Sequence, residues 1–375
     1  MNDFSISGTV LLSEGFKPAT IFISGAKIVL IQAGLDPHAD WVTEGWIAPG
    51  LIDLQVNGAY GFDFTTDSGT VVQVAKRLPS TGVTAFLPTI ITSPLENYPR
   101  TLREVEESAR DGSGAEILGV HLEGPYLNPK RKGAHDPNFL REPNVDEIET
   151  WAGSALVRLA TLAPELPGAH KMIQYLRAHG VVVSAGHSDA NYAQAMNGFQ
   201  NGVTYGTHLY NAMPPFTHRE PGLIGALLST DVPCGLIVDG VHVHPAVVST
   251  TYRAKGARGI TLVTDAMAAM GMGTGRYKLA DRDVMVDDNS ARLADGTLAG
   301  SILQMDAAVR NVIHFTGCSL AEAIAMASTT PARVLGLRHK GQIDLGCDAD
   351  LIVLNPSLQV EMTMARGEIV YQRRK

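Results

Sequence analysis

Short apolar segments, each followed by a segment of helix-like character, recur eight times between residues 47 and 340. This alternation constrains the fold strongly, because it is typical of parallel strands joined by helical crossovers. Eight strand–helix units in about 290 residues are the repeat of a closed α/β barrel. The sequence therefore predicts a (β/α)8 TIM barrel with candidate strands at residues 47–56, 84–91, 116–123, 157–163, 181–187, 203–209, 235–239 and 260–265.

The two ends of the chain have a different pattern, with β-branched and apolar runs separated by glycine and no helical period. We expect residues 1–47 and 341–375 to pair into one small β-sandwich domain. Residues 48–340 would then form the barrel domain. A further β-rich stretch at about 276–300 is predicted to be a β-hairpin inserted into the barrel.

Composition narrows the class of ligand and the compartment. A net charge of −8 over 375 residues argues against a nucleic-acid or anionic-membrane surface and favours a small-molecule substrate. No apolar stretch reaches the length needed to span a bilayer, and the first residues lack the features of a signal peptide. The three cysteines show no CxxC spacing, so we expect a protein of the reducing cytoplasm.

Three candidate strands end in residues that can bind a metal ion. Glu123 stands between an apolar run and a Gly-Pro turn, and His187 and His208 end two later strands. The carboxyl ends of barrel strands converge, and one carboxylate with two imidazoles leaves zinc an open catalytic position. Any one of these residues could instead hydrogen-bond a loop, but three such residues at strand ends favour a metal site.

The eighth candidate strand ends in Asp265. An ionised acid beside a metal-bound water could accept its proton. The alternative is that Asp265 caps the segment that follows, where glycines mark the beginning of a loop. The sequence leaves both interpretations open.

Six segments carry more specific motifs: Asp53–Gly58, His121–Asn128, Lys132–His135, Ala185–Ser188, Thr207–Met213 and Val238–His242. In this order they resemble the N-acetylglucosamine-6-phosphate deacetylases of the amidohydrolase superfamily, and the match covers essentially the whole chain. Residues 346–354 are similar to the generic return strand of the superfamily, so they support the fold and not the substrate. The resemblance implies metal-dependent hydrolysis of N-acetyl-D-glucosamine 6-phosphate to D-glucosamine 6-phosphate and acetate, in amino-sugar catabolism and cell-wall recycling.

One departure from the superfamily pattern concerns the metal. Many amidohydrolases carry His-x-His on the first strand for a second ion, and here these positions hold Gln55 and Asn57. No lysine ends the fourth strand, which reads Leu159 to Glu165. The resemblance then implies one divalent ion per chain, with zinc expected and iron, cobalt, manganese or nickel as alternatives.

The resemblance also implies roles around the substrate amide. Asp265 would take the proton of the water and return it to the nitrogen, and His135 would donate to the developing oxyanion. His135 lies beside Lys130–Lys132, so simple solvation of an exposed loop is the alternative for this histidine. The basic triplet itself is expected to be a solvated loop.

The phosphate and the sugar are expected to bind after the sixth and seventh strands. By resemblance, the turn at Asn211 and Ala212 binds the phosphate, and His242 binds the sugar. Arg219 would reach the phosphate of a neighbouring subunit in a homodimer. A surface pair between Arg219 and Glu220 is the competing interpretation.

Two rival functions remain at this point. Another amidohydrolase acting on a different N-acyl amino sugar or on a cyclic amide would share the barrel and the metal, and differ only in the pocket. A catalytically silent barrel retained for assembly would have lost a ligand or Asp265. All four of these residues are present, which argues against the silent barrel.

Overall fold

A computed structural model of the chain describes residues 3–148 and 156–374. Eight parallel strands form a nearly closed barrel, which confirms the predicted fold class. The barrel closes where the Asp265 amide donates to the Gln55 carbonyl (2.9 Å) and the Asn57 amide donates to the Ala266 carbonyl (2.8 Å). In spatial order the strands are Leu51–Val56, Val83–Ile91, Val120–Glu123, Val157–Leu162, Val182–Ala185, Val203–Gly206, Cys234–Leu236 and Ile260–Leu262.

Two candidate strands are divided in the structure by glycines. Residues 47–49 belong to a strand of the terminal sheet, and the barrel strand begins only after Gly50, where a Cβ would lie 2.2 Å from the Thr84 hydroxyl. Residues 116–123 form two short strands, interrupted by Gly119 at a φ of +130°. Both breaks depend on a close neighbour or a backbone conformation that suits glycine.

The helices lie outside the barrel and bury one apolar face against it. In Tyr98–Asp111, for example, the buried residues Tyr98, Leu102 and Val105 follow the i, i+4, i+7 spacing. Ser319 begins its helix with a capping box. The helices of the described chain are Val71–Ala75, Tyr98–Asp111, Val145–Ile148, Ala169–Ala178, Tyr192–Asn201, Gly222–Leu228, Pro245–Lys255, Met305–Thr316, Leu320–Ala327 and Thr329–Val334.

The chain termini join into one seven-stranded mixed sheet with its own apolar core. Strand Trp41–Pro49 pairs parallel with Asp3–Leu12 and antiparallel with Leu351–Leu354, so it connects the two terminal segments. Residues such as Ile21, Val353 and Met364 fill the core of this sheet. In spatial order its strands are Glu368–Gln372, Val360–Ala365, Leu351–Leu354, Trp41–Pro49, Asp3–Leu12, Gly15–Ser24 and Lys27–Ala33.

An insertion after the eighth strand forms a small antiparallel sheet of Gly275–Leu279, Arg282–Val286 and Ala291–Arg292. Its apolar side chains pack with Ile91 and Ala134 of the barrel in a separate core. Asp63, in the short pair Gly58–Ala59 and Phe62–Asp63, accepts a hydrogen bond from the Ala280 amide (3.0 Å) and anchors the insertion. Within the described residues, no helix is long and apolar enough to cross a membrane.

Candidate active site

The carboxyl ends of the third, fifth and sixth barrel strands bring Glu123, His187 and His208 together. Oε1 of Glu123 lies 3.1 Å from Nε2 of His187 and 2.9 Å from Nε2 of His208. The two imidazole nitrogens are 3.1 Å apart. All three side chains are buried, so three potential ligand atoms face one point that is shielded from solvent.

This donor set fits a divalent cation of the zinc type. The Nδ1–H of His187 donates to the Arg131 carbonyl (2.8 Å), so Nε2 of His187 faces Glu123 and His208; protonated, it donates to the Glu123 carboxylate, and deprotonated, it can bind a metal ion. Burial raises the pKa of the Glu123 carboxyl, but hydrogen bonds from His187 and His208 outweigh burial and hold the pKa well below its usual range. Glu123 is therefore an anion at neutral pH.

His135 lies beside His187, with ring centroids 4.4 Å apart, and is buried rather than solvated. One ligand atom from each of Glu123, His135 and His187 fits within 4.8 Å, so His135 is a geometric alternative to His208 as a ligand. However, its Nδ1 accepts a hydrogen bond from the Thr92 amide (3.3 Å), which places the ring proton on Nε2. Burial lowers the pKa of His135 to about 3, so the ring is a neutral donor. Its Nε2 is 4.0 Å from Glu123, farther than the nitrogens of His187 and His208.

Asp265 faces the same point from the eighth strand, and two amide side chains hold its carboxylate. Asn57 donates to Oδ1 of Asp265 (2.7 Å), and Gln55 donates both to that oxygen (3.1 Å) and to Glu123 (3.1 Å). Burial, followed by the negative charge of Glu123, raises the pKa of Asp265 to about 6. The side chain is thus held by the first strand, with Oδ2 left to accept a proton.

Backbone strain is concentrated at this site. Non-glycine residues with positive φ include His187 (49°), His208 (26°), Tyr210 (80°), Ala212 (52°) and Asp265 (49°). Such conformations are uncommon outside glycine and persist where the surrounding structure enforces them. The turns after three strands therefore direct side chains that a regular strand would not bring together.

These residues open into a cavity of about 350 Å³. His242 lines it, and its Nδ1–H donates to Asp239 (2.6 Å), which fixes the ring. The cavity is lined by Asn57, Ile91, Glu123, Gly133, Ala134, His135, His187, His208, Asn211, Ala212, His242, Asp265, Leu279, Arg292, Gly296, Thr297, Leu298 and Gly300.

Comparison with known proteins assigns the chain to a family. The model of the Amidohydrolase family matches residues 46–370. This chain belongs to the amidohydrolase family. N-acetylglucosamine-6-phosphate deacetylases are among its relatives, as the motifs predicted. The Bos taurus enzyme is 44% identical over 342 residues, which are 87% of this chain and 83% of that protein. The Bacillus subtilis (strain 168) enzyme is 39% identical over 373 residues, which are 96% and 94% of the two chains.

A solved structure of a deacetylase from Mycobacterium smegmatis matches this amidohydrolase with a TM-score of 0.93 and 35% identity, over 99% of this chain and 100% of the other. That protein is an aspartate-to-alanine mutant in complex with N-acetyl-D-glucosamine-6-phosphate.

The amidohydrolase pocket also contains residues that the sequence did not single out. Leu279, Arg292 and residues 296–298 come from the insertion and cover one side of the cavity. No sequence motif places the insertion over the barrel mouth, because its packing depends on contacts distant in sequence. By contrast Arg219, which the sequence predicts as a phosphate ligand, is exposed and does not line the pocket of its own chain.

Proposed function

We propose that this amidohydrolase hydrolyses N-acetyl-D-glucosamine 6-phosphate to D-glucosamine 6-phosphate and acetate. The observation that carries the proposal is the buried cluster of Glu123, His187 and His208, which shares one cavity with Asp265 and His135. The deacetylase relatives, matched over most of the chain, supply the substrate class. The barrel domain, residues 48–340, carries the site, and residues 1–47 and 341–375 form the second domain.

Glu123, His187 and His208 hold one divalent ion, with zinc as the expected metal. Such an ion would supply Lewis acidity to the acyl carbonyl and to the attacking water. His135 is not a ligand in this proposal, because its Nδ1 accepts the Thr92 amide proton. The side chains of Gln55 and Asn57 donate N–H groups to carboxylates, so they orient acids rather than bind a second ion.

Asp265 acts as the general base and then as the general acid. Its Oδ1 already accepts from Asn57 and Gln55, which leaves Oδ2 to take a proton from the water and return it to the departing amine. A pKa of about 6 leaves the carboxylate mostly ionised at neutral pH. The same value allows the protonated form to donate when the carbon–nitrogen bond breaks.

His135 stabilises the developing negative charge on the acyl oxygen. Its Nε2–H is the available donor because Thr92 occupies Nδ1, and the buried ring stays neutral at physiological pH. A fixed, uncharged donor in a buried site needs little reorganisation as charge develops. Removing it should therefore affect turnover more than substrate binding.

The sugar phosphate occupies the part of the cavity lined by Asn211, Ala212 and His242. We assign the phosphate to the Asn211–Ala212 turn and to Arg219 of a second subunit in a homodimer. Arg219 is exposed and does not line the pocket of its own chain, which supports a role in the active site of a partner subunit. His242 binds the sugar, with its ring oriented by Asp239.

The three cysteines are unpaired and buried, which agrees with the proposed cytoplasmic location.

Acetate release from purified protein loaded with a divalent metal tests this function. We expect turnover of N-acetyl-D-glucosamine 6-phosphate, and a large loss of kcat/KM for N-acetyl-D-glucosamine, which lacks the phosphate. Opening of a cyclic amide such as dihydroorotate should be undetectable. Preference for a cyclic amide, or equal activity with and without the phosphate, would instead assign the chain to another amidohydrolase activity.

A further inference from the structure

A second cavity lies directly behind the wall of the active-site pocket. It has a volume of about 220 Å³ and is lined mainly by polar residues, among them Thr65, Ser93, Asn97 and Arg100. Ile91 and Ala134 line both cavities. These two residues therefore form a partition between the pocket and an adjoining space.

The position of Ile91 places this partition beside the reacting groups. Ile91 ends the second barrel strand and pairs in register with Glu123 on the third. The next residue, Thr92, holds the ring of His135 through its amide. Ile91 thus stands next to the residues that we assign to the metal and to the acyl oxygen.

The wall around Ile91 is apolar and buried. Ile91, Ala134 and Leu279 are each at least nine-tenths buried and belong to the core shared by the barrel and the insertion. The same pocket is also lined by polar residues, among them Asn211 and His242. One cavity therefore presents both apolar and polar groups to the same substrate.

We propose that Ile91, Ala134 and Leu279 form the acyl subsite, and that Ile91 limits the length of the acyl group by closing off the second cavity. This inference rests on the proposed deacetylation. The acyl carbon carries an oxygen directed at His135, a nitrogen directed at Asp265 and a methyl group. The methyl is the only apolar substituent, and burial against the apolar wall is its favourable position.

The partition explains how an acetyl group would be selected over longer acyl groups. A propionyl or butyryl chain would extend the methyl position toward Ile91, whose buried side chain separates the pocket from the second cavity. Shortening Ile91 would connect the pocket to the second cavity and accommodate the added carbons. A hydrophobic pocket typically discriminates one methylene by about 10–200-fold, so the selectivity is measurable.

The test compares kcat/KM for N-acetyl-, N-propionyl- and N-butyryl-glucosamine 6-phosphate in the wild type, Ile91→Ala and Ile91→Val. We expect the butyryl-to-acetyl ratio to rise at least about tenfold in Ile91→Ala. Ile91→Val is a milder change and should raise the propionyl-to-acetyl ratio by a smaller factor. If Ile91→Ala does not fold, the result for Ile91→Val tests the proposal. Ile302→Ala is the matched control, because Ile302 packs on the same core but does not line the pocket.

Unchanged ratios in an Ile91 variant that folds and still releases acetate would overturn the proposal. So would a shift in the ratio on Leu298→Ala with none at Ile91, because the acyl group would then face the insertion loop. Failure of the wild type to release acetate from the N-acetyl substrate contradicts the proposed function itself. The two failures are therefore distinguishable.

Discussion

Replacing Asp265 with asparagine tests the proposed general base while preserving the geometry. Asn57 and Gln55 both donate N–H groups to Oδ1 of Asp265. The new amide should therefore place its oxygen there and direct its NH2 into the pocket, where a base is needed. The site keeps its shape but presents a donor in place of an acceptor. Loss of a general base typically costs about 10²–10⁴-fold, and we expect kcat to fall by this factor.

The assay measures acetate release at saturating substrate, together with metal content and substrate affinity by calorimetry. Metal content and substrate affinity should both stay near wild-type values in Asp265→Asn. Asp306→Asn, the same change at an acid paired with Arg310 on an outer helix, should keep kcat and serves as the control. If Asp265→Asn retains kcat within a few-fold, the base lies elsewhere and the assignment is wrong.

A comparison with Asp265→Ala separates the chemical role from the structural one. Alanine leaves the amide donors of Gln55 and Asn57 without this buried acceptor. An unsatisfied buried donor costs about 1–3 kcal/mol. The alanine variant should therefore melt at a lower temperature than the asparagine variant, although both lose most turnover. Equal melting temperatures would contradict the role assigned to the two amides.

Three further predictions concern the dimer, the domain junction and the barrel seam. Mixing Arg219→Ala with Asp265→Asn under subunit exchange should restore activity above either parent, whereas an Arg219 that serves its own chain gives no rescue. Lys340→Met removes a buried ammonium from three carboxylates and should lower the unfolding free energy by about 3 kcal/mol. In urea titrations Lys17→Met, at an exposed ion pair, should lose much less stability than Lys340→Met; equal losses would contradict the role given to the buried lysine. Asp53 accepts a hydrogen bond from the hydroxyl of Thr264, the residue before Asp265. Asp53→Ala should therefore lower kcat more than it changes KM, and Asp53→Asn should recover part of kcat. An unchanged kcat in Asp53→Ala would refute this role.

The barrel could be predicted because its signal is local. Each strand is a short apolar run, and each ends at a polar or glycine-containing turn that the sequence shows directly. The strand limits were less accurate because they depend on distant contacts. The break at Gly50 arises from the approach of Thr84, and neither the spacing nor the composition of residues 47–56 indicates it.

The sequence predicted which residues of the third, fifth, sixth and eighth strands would meet, since parallel strands present their ends at one edge. The sequence could not predict that His135 is buried, or which of its ring nitrogens carries the proton. This loop residue stands beside three basic residues, yet it is buried, and its tautomer is set by Thr92, 43 positions away. From the sequence, Gln55 and Asn57 are identified only as positions that lack the metal-binding histidines. Their hydrogen bonds to acids on other strands appear only in the folded barrel.

Anomalous diffraction from crystals of the metal-loaded protein tests the central claim most directly. We expect one peak per chain, within about 2.0–2.2 Å of a Glu123 oxygen and of the Nε2 atoms of His187 and His208. His135 should stay outside this distance, with its Nδ1 still bonded to the Thr92 amide. A peak bound by His135 in place of His208, or a second peak bound by Gln55 or Asn57, would contradict the single site and the role given to His135.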